Sequence, residues 1–241
     1  MNARLMICIP FHDRKRIVEQ CLPTIVSAMG PEDSLLLCDD GSKEYRPEWL
    51  RQWSTSIAFS RKPIGVEAWR RLHLTQFWNL ARMEITISPT HLLFLDSDAF
   101  VDPAMRWNLL RLQAESGGLL MCGYNTVAHS GMAGNTLEDD PKSEIIYRHY
   151  APGICYLLTL EHVAKIMPHI ENITNFDWNI PDILGGRCAI SRTSYVDHIG
   201  FGGLRHPKDA GYDGGDRATN PTPFLVEKRR EIVKKLEAQK P

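Results

Sequence analysis

The octapeptide His91-Leu92-Leu93-Phe94-Leu95-Asp96-Ser97-Asp98 constrains this chain more than any other stretch. An apolar run of strand-compatible residues that ends abruptly in two carboxylates reads as a buried strand delivering acids to its C-terminal end. Open α/β sheets bind their ligands at that edge. Two oxygen donors spaced i and i+2 share one side of an extended segment, and they suit a hard divalent cation, Mg2+ or Mn2+, that can also hold phosphate oxygens. Asp is equally a favoured turn and N-cap residue, so Asp96 and Asp98 could instead cap the helix that follows.

The rest of the chain narrows this reading. Its 241 residues fit one large α/β domain or two small ones, and a formal charge of -1 gives no global pull toward nucleic acid or anionic membrane. No apolar run approaches the roughly 20 residues of a membrane helix, and the N-terminus lacks the apolar core and cleavage site of a signal peptide. A soluble, cytoplasmic protein is the expectation. Cys8, Cys38, Cys122 and Cys155 lie in strand-like runs, Cys21 and Cys188 in stretches read as helical, and no Cys-x-x-Cys pair occurs. Reduced, buried thiols are expected rather than disulfides or zinc ligands.

From the start, Leu5 to Ile9 reads as a first buried strand, stopped by Pro10 and followed by the polar turn Phe11-His12-Asp13. Ile17, Val18, Cys21, Leu22, Ile25, Val26 and Met29 recur at helical spacing, with a kink or restart allowed at Pro23. Ser34 to Cys38 is a second strand ending in Asp39-Asp40-Gly41-Ser42. Strand, helix, strand with short links is a parallel βαβ unit, which puts this acidic turn beside the Pro10–Asp13 loop. Turn formation before Gly41 would explain the same two acids.

A short helix near Pro47, a strand at Ser56 and a long helix from Val66 come next. Arg70, Arg71 and His73 on that helix are expected on its solvated face, although one of them could reach a bound diphosphate. Asp102-Pro103 starts a further helix and Leu119 to Gly123 a further strand. Residues 125–143 are polar and without periodicity, the pattern of a mobile substrate lid. Strands at 144–149 and 154–158, a helix capped by Thr159, and the stretch Phe176 to Leu184 with Asp177 and Asp182 follow. Ser194 to Ile199 has strand character, and the terminal helix from Pro223 carries six Lys or Arg against three Glu.

Taken together, Ile7-Cys8-Ile9-Pro10, Asp39-Asp40-Gly41-Ser42 and Phe94-Leu95-Asp96-Ser97-Asp98, in that order and each at a strand end, resemble the family 2 type of nucleotide-sugar glycosyltransferases with the A-type (GT-A) fold. The resemblance covers roughly the first half of the chain. It implies a Rossmann-like α/β domain with a mostly parallel central sheet, a nucleotide-sugar half (1–123), an acceptor and catalytic half (124–220) with a smaller sheet of its own, and a basic C-terminal helix (221–241). It further implies that Pro10, Phe11 and Asp40, with Asp39 close by, hold the nucleobase and ribose. Asp98 would bind the cation on the diphosphate directly, with Asp96 in support. His198 resembles the late histidine that many such enzymes add to the metal, with His206 as the alternative, and Gly200 to Gly203 would fold over the diphosphate.

Inversion at a sugar carbon needs a carboxylate to accept the acceptor's hydroxyl proton, while a cation neutralises charge on the departing diphosphate. Related enzymes place that base at the start of a helix. Asp182, after Pro181, looks like that position and Asp177 is the second choice; either could be a plain helix cap. The usual Glu-Asp pair is absent. These residues imply transfer of a sugar from a nucleoside diphosphate, UDP favoured, to a hydroxyl on a glycan, a protein or a modified base in DNA. A sugar nucleotidyltransferase should carry a Gly-rich basic loop after strand one, which Phe11-His12-Asp13-Arg14 does not resemble. A noncatalytic module on the same fold would have no need of Asp96 and Asp98.

Overall fold

A computed structural model describes residues 3–54, 56–83, 88–200 and 217–238. The first half comprises β1 (Leu5–Phe11), α1 (Lys15–Ala28), β2 (Ser34–Asp40), a 3-10 turn (Pro47–Gln52), β3 (Ser56–Ser60), α2 (Val66–Ala81) and β4 (His91–Leu95). Then follow β5 (Ala99–Val101), α3 (Met105–Glu115), β6 (Met121–Cys122), α4 (Val127–Ser130), β7 (Thr136–Glu138), β8 (Ile145–Arg148) and β9 (Cys155–Thr159). The chain continues through α5 (Leu160–Ile166), a 3-10 turn (Met167–Asn172), α6 (Phe176–Ile183), β10 (Cys188–Ser191), β11 (Val196–His198) and α7 (Pro223–Ala238).

Among the described residues, nine strands form one sheet in the order β3-β2-β1-β4-β9-β6-β10-β8-β7. β1 runs parallel to β2 and β4, and β2 parallel to β3. Beyond β4 the directions are mixed: β9 is antiparallel to β4 and β6, β10 is parallel to β6, and β8 is antiparallel to β10 and β7. The α/β class is as expected, but the uninterrupted parallel run is confined to β3-β2-β1-β4. The strands after residue 123 extend the main sheet, and the only separate two-stranded sheet among the described residues is the ribbon β5–β11.

All seven residues of β1 are buried, as a parallel strand covered on both faces requires. The strand runs through Pro10 rather than stopping there, because β4 pairs only as far as Cys8 and the last residues of β1 have a neighbour on the β2 side alone. A missing N–H is tolerated at such an edge. Similarly, α1 continues through Pro23, whose ring faces solvent. Cys188 lies in β10, not in a helix, and all six cysteines are buried and unpaired.

Two further expectations change. Arg70 and His73 are buried with Trp69, Leu74 and Phe77, on the core face of α2. Within 125–143, α4 and β7 form, and buried Asn135 pins the segment through its amide donor to the His129 carbonyl (2.9 Å) and its amide oxygen to Tyr150 N–H (2.9 Å). That stretch is an anchored edge of the sheet. No helix among the described residues is long and apolar enough to cross a membrane.

Candidate active site

The C-terminal ends of β1, β2 and β4 lie on one edge, and the loops that follow β1 and β2 are locked together there. Asp39 is buried and accepts a hydrogen bond from Ser42 N–H (3.0 Å). Asp40 accepts three, from Ile64 N–H (2.6 Å), Gly65 N–H (2.9 Å) and Trp69 Nε1 (3.0 Å), and so ties the end of β2 to the start of α2. Gly41 closes this junction. Its φ is +71°, and a Cβ there would stand 3.0 Å from Pro63 N. The Phe11 ring is buried in the core, which leaves its backbone as the part able to meet a ligand.

Asp13 and Arg14 both adopt left-handed backbone conformations, φ 54° and 59°. Such conformations cost roughly 1–3 kcal/mol each in a residue other than glycine, and they persist only where the surroundings over-determine them. Here Asp13 Oδ1 accepts from Lys43 N–H (2.6 Å) and Glu44 N–H (3.1 Å), and Ser42 Oγ accepts from Asp13 N–H (2.9 Å). Burial alone would raise the Asp13 pKa, but these two backbone donors outweigh it and hold the carboxyl below its usual range. The turn carries Arg14 onto Asp98, Nη1 to Oδ2 at 2.9 Å.

Behind the loops, Cys38 Sγ and His73 Nε2 lie 2.9 Å apart. Burial lowers His73 to about 3 and raises the Cys38 thiol to about 12. The pair is therefore neutral and structural, with no thiolate to act as a nucleophile.

Arg70 is the hub that joins the two halves. Its buried guanidinium donates to Asp96 Oδ1 (3.1 Å) and to the Gly153 carbonyl (2.8 Å), pairs with Asp177 Oδ1 (3.6 Å), and lies 5.5 Å from the centre of the Phe176 ring. Burial pushes the Asp96 pKa up, Arg70 opposes it, and the nearby Asp98 and Asp177 charges add to the rise. Gly153 is fixed by space: a Cβ there would collide with Asp177 Oδ1. The expectation of a solvated basic face on α2 passed over Arg70. Its spacing with Trp69, His73, Leu74 and Phe77 places it in the buried stripe and was the available signal.

Asp177 occupies the first turn of α6, which Asn175 caps by accepting from Asp177 N–H (3.1 Å). Asp182 sits at the other end of α6, is exposed, and its carboxylate raises the pKa of the nearby Tyr150 hydroxyl. Of the two acids considered for the base, the fold brings Asp177 to the Asp96 cluster and leaves Asp182 apart from it.

His198 is buried on β11 opposite Ala99, with its ring edge-on to Tyr124 at 5.3 Å. Arg229 holds that strand, donating to Asp197 Oδ2 (2.8 Å) and the His198 carbonyl (2.9 Å). His206 and the stretch Phe201 to Gly203 lie outside the described residues. Among the described residues no three His, Cys, Asp or Glu side chains converge as a cation site. Asp96 and Asp98 do not share the face of an extended strand, because the chain turns there (Ala99 N–H to Asp96 carbonyl, 3.1 Å) and each acid meets a different arginine. As a donor set the two carboxylates still fit Mg2+ or Mn2+ of the kind that takes one or two protein acids and fills its remaining positions with diphosphate oxygens and water.

The fold has solved counterparts. TarS from S. aureus, residues 1–349 with UDP-GlcNAc, superposes with a TM-score of 0.55 at 12% identity, over 80% of this chain and 57% of that one. The mannosyltransferase PcManGT from Pyrobaculum calidifontis, in complex with GDP-Man and Mn2+, gives 0.51 at 13% identity over 69% and 47%. GalNAc-T7 with UDP, GalNAc and Mn2+ gives 0.55 at 12% identity over 78% and 42%. The fold is that of the A-type glycosyltransferases. This chain spans about half the length of those GT-A chains, and at such identities the likeness extends to the fold alone. No family model matches the sequence. A stretch of 74 residues, 29% of the chain, is 34% identical to the mouse E3 ubiquitin-protein ligase RNF26 but spans 18% of that protein, too little to assign a family.

Proposed function

We propose that this chain is an inverting, metal-assisted glycosyltransferase of the family 2 type, moving a sugar from a nucleoside diphosphate to a hydroxyl acceptor. One observation carries the reading: a single buried arginine, Arg70, spans Asp96 at the end of β4 and Asp177 at the start of α6, so a donor-side and an acceptor-side carboxylate face one point. Pro10, Asp39, Asp40 and the strained Asp13-Arg14 turn frame the nucleoside end. UDP is the favoured nucleotide, because two of the three compared enzymes were solved with UDP or a UDP-sugar.

Asp98, supported by Asp96, would hold a divalent cation, with His198 as the further candidate ligand; a bound cation supplies neutralisation of charge on the diphosphate. Asp177 accepts the acceptor's hydroxyl proton as that oxygen bonds to the anomeric carbon and the nucleoside diphosphate departs with the electron pair of the broken C–O bond. Asp177 stands at the N-terminus of α6, where the backbone dipole stabilises a negative charge. Arg70 holds its carboxylate in place, and Arg14 lies where it could meet diphosphate oxygens once Asp98 turns to a cation.

A screen of nucleotide sugars with and without Mn2+ tests this, since slow donor hydrolysis needs no acceptor. Release of one nucleoside diphosphate, raised by Mn2+, is expected. Intact donors throughout, with no nucleotide-sugar binding by calorimetry, would refute it.

A further inference from the structure

Asp177 and Trp178 are successive residues of α6 and face different neighbours. Asp177 turns to Arg70 and Gly153, whereas Trp178 turns to Tyr150, ring centroids 4.4 Å apart and planes inclined by 59°. Trp178 is 38% exposed and Tyr150 half-buried. The Tyr150 hydroxyl lies near the carboxylate of Asp182, which raises its pKa and is itself exposed on the same helix as Trp178. His149 continues the aromatic surface, its ring 6.3 Å from that of Tyr150 and its Nδ1 2.9 Å from the Gly186 carbonyl. Two aromatic faces, a phenol and a carboxylate thus form a rim one residue away from Asp177.

An exposed aromatic face beside oriented hydrogen-bonding groups matches a pyranose ring, whose C–H face is apolar and whose edge carries hydroxyls. The charge of the rim selects among acceptors. Asp182 and Asp177 are acidic, and the nearby Arg187 is engaged by Glu138 (3.0 Å) and by the Tyr147 ring (4.1 Å). A nucleic acid would bring its phosphates against these carboxylates. We infer that Tyr150, Trp178 and Asp182 form the acceptor subsite, and that it takes a neutral saccharide with its reacting hydroxyl toward Asp177. This rests on the reading of Asp177 as the proton acceptor.

Saturation-transfer NMR on the full chain tests it, with methyl glycosides of glucose, galactose, mannose and N-acetylglucosamine as probes and the protein's aromatic protons irradiated. At least one glycoside should show transfer to its ring C–H protons, reduced about fivefold in Trp178→Ala and to a smaller degree in Tyr150→Phe, which keeps the ring but loses the hydroxyl beside Asp182. Trp107→Ala, which removes an exposed aromatic on α3, should leave the signal unchanged. Should Trp178→Ala fail to fold, Tyr150→Phe and Asp182→Asn carry the test alone. Absence of transfer to every glycoside, transfer that persists in all the rim variants, or transfer seen instead to a single-stranded oligonucleotide or a Ser/Thr peptide overturns the subsite. A saccharide signal that depends on Trp178 in a chain that hydrolyses no nucleotide sugar would sink the enzyme reading and leave the binding site standing; hydrolysis without such a signal does the reverse.

Discussion

In the first half β1, β2 and β4 run parallel and the candidate residues lie at or just past strand ends, whereas in the second half strand directions are mixed and Asp177 arrives on a helix. Parallel strands put all their C-terminal ends on one edge, so an acid at a strand end is placed by topology alone. Mixed directions give no such rule. Asp177 is placed by contacts far apart in the chain: the Arg70 pair, and the absence of a side chain at Gly153. Donor-side variants should therefore disturb binding and turnover together, and acceptor-side variants turnover alone.

Asp98→Ala sets the upper end of that scale. If Asp98 is the cation ligand proposed above, its loss should reduce Mn2+-dependent donor hydrolysis by about a thousandfold or more and weaken binding of the donor as well. Full donor affinity in this variant would break the distinction from the donor side.

Gly153→Ala comes next. Its Cβ would force the Asp177 carboxylate to move, and a displacement of about 1 Å at a reacting group costs on the order of a hundredfold in rate. Turnover should fall by that order with donor affinity little changed, measured by steady-state kinetics and calorimetry. An equal loss of affinity would mean that the two halves are not separable at this point.

The smallest effect concerns stability, and it spans both halves. Burial holds His73 on α2 near 3 and His162 on α5 near 4, both well below the usual histidine value of about 6.5. The unfolded chain therefore binds protons that the folded chain does not, so stability is complete above pH 6.5 and is lost as pH falls toward 4. The slope is ~1.4 kcal/mol per pH unit for each histidine. His73→Phe keeps the packing against Trp69 and Phe94 and should roughly halve the slope in denaturant titrations between pH 6 and 4.5. An unchanged slope would place the titration elsewhere.

Much of the first half was legible in the sequence because strand ends and acidic turns are local. The three strands form on the apolar runs, although β1 and β2 each continue two residues further, to Phe11 and Asp40, and Asp39, Asp40 and Asp96 lie at or just past strand ends. The second half was harder for a physical reason. Pro181 reads as a helix start, which pointed to Asp182, but Asn175 caps α6 six residues earlier and Pro181 sits inside its last turn. Asp177, not Asp182, is therefore the acid in the first turn of that helix, which is why the proposed function takes it as the base. Arg70 was read as solvated because charge normally is, and only its register with Trp69 and Phe77 signals burial. Gly153 reads as a turn former, and nothing local reveals that a carboxylate 24 positions on occupies the space of its side chain.

The most direct measurement compares Asp177→Asn and Asp182→Asn for donor affinity by calorimetry and for donor turnover with Mn2+. If Asp177 accepts the proton, its variant binds donor within about threefold of wild type while turnover falls about 100- to 10,000-fold, and Asp182→Asn keeps the donor chemistry. Wild-type turnover in Asp177→Asn, or collapse in Asp182→Asn instead, would contradict the assignment of the Arg70-linked carboxylate as the base.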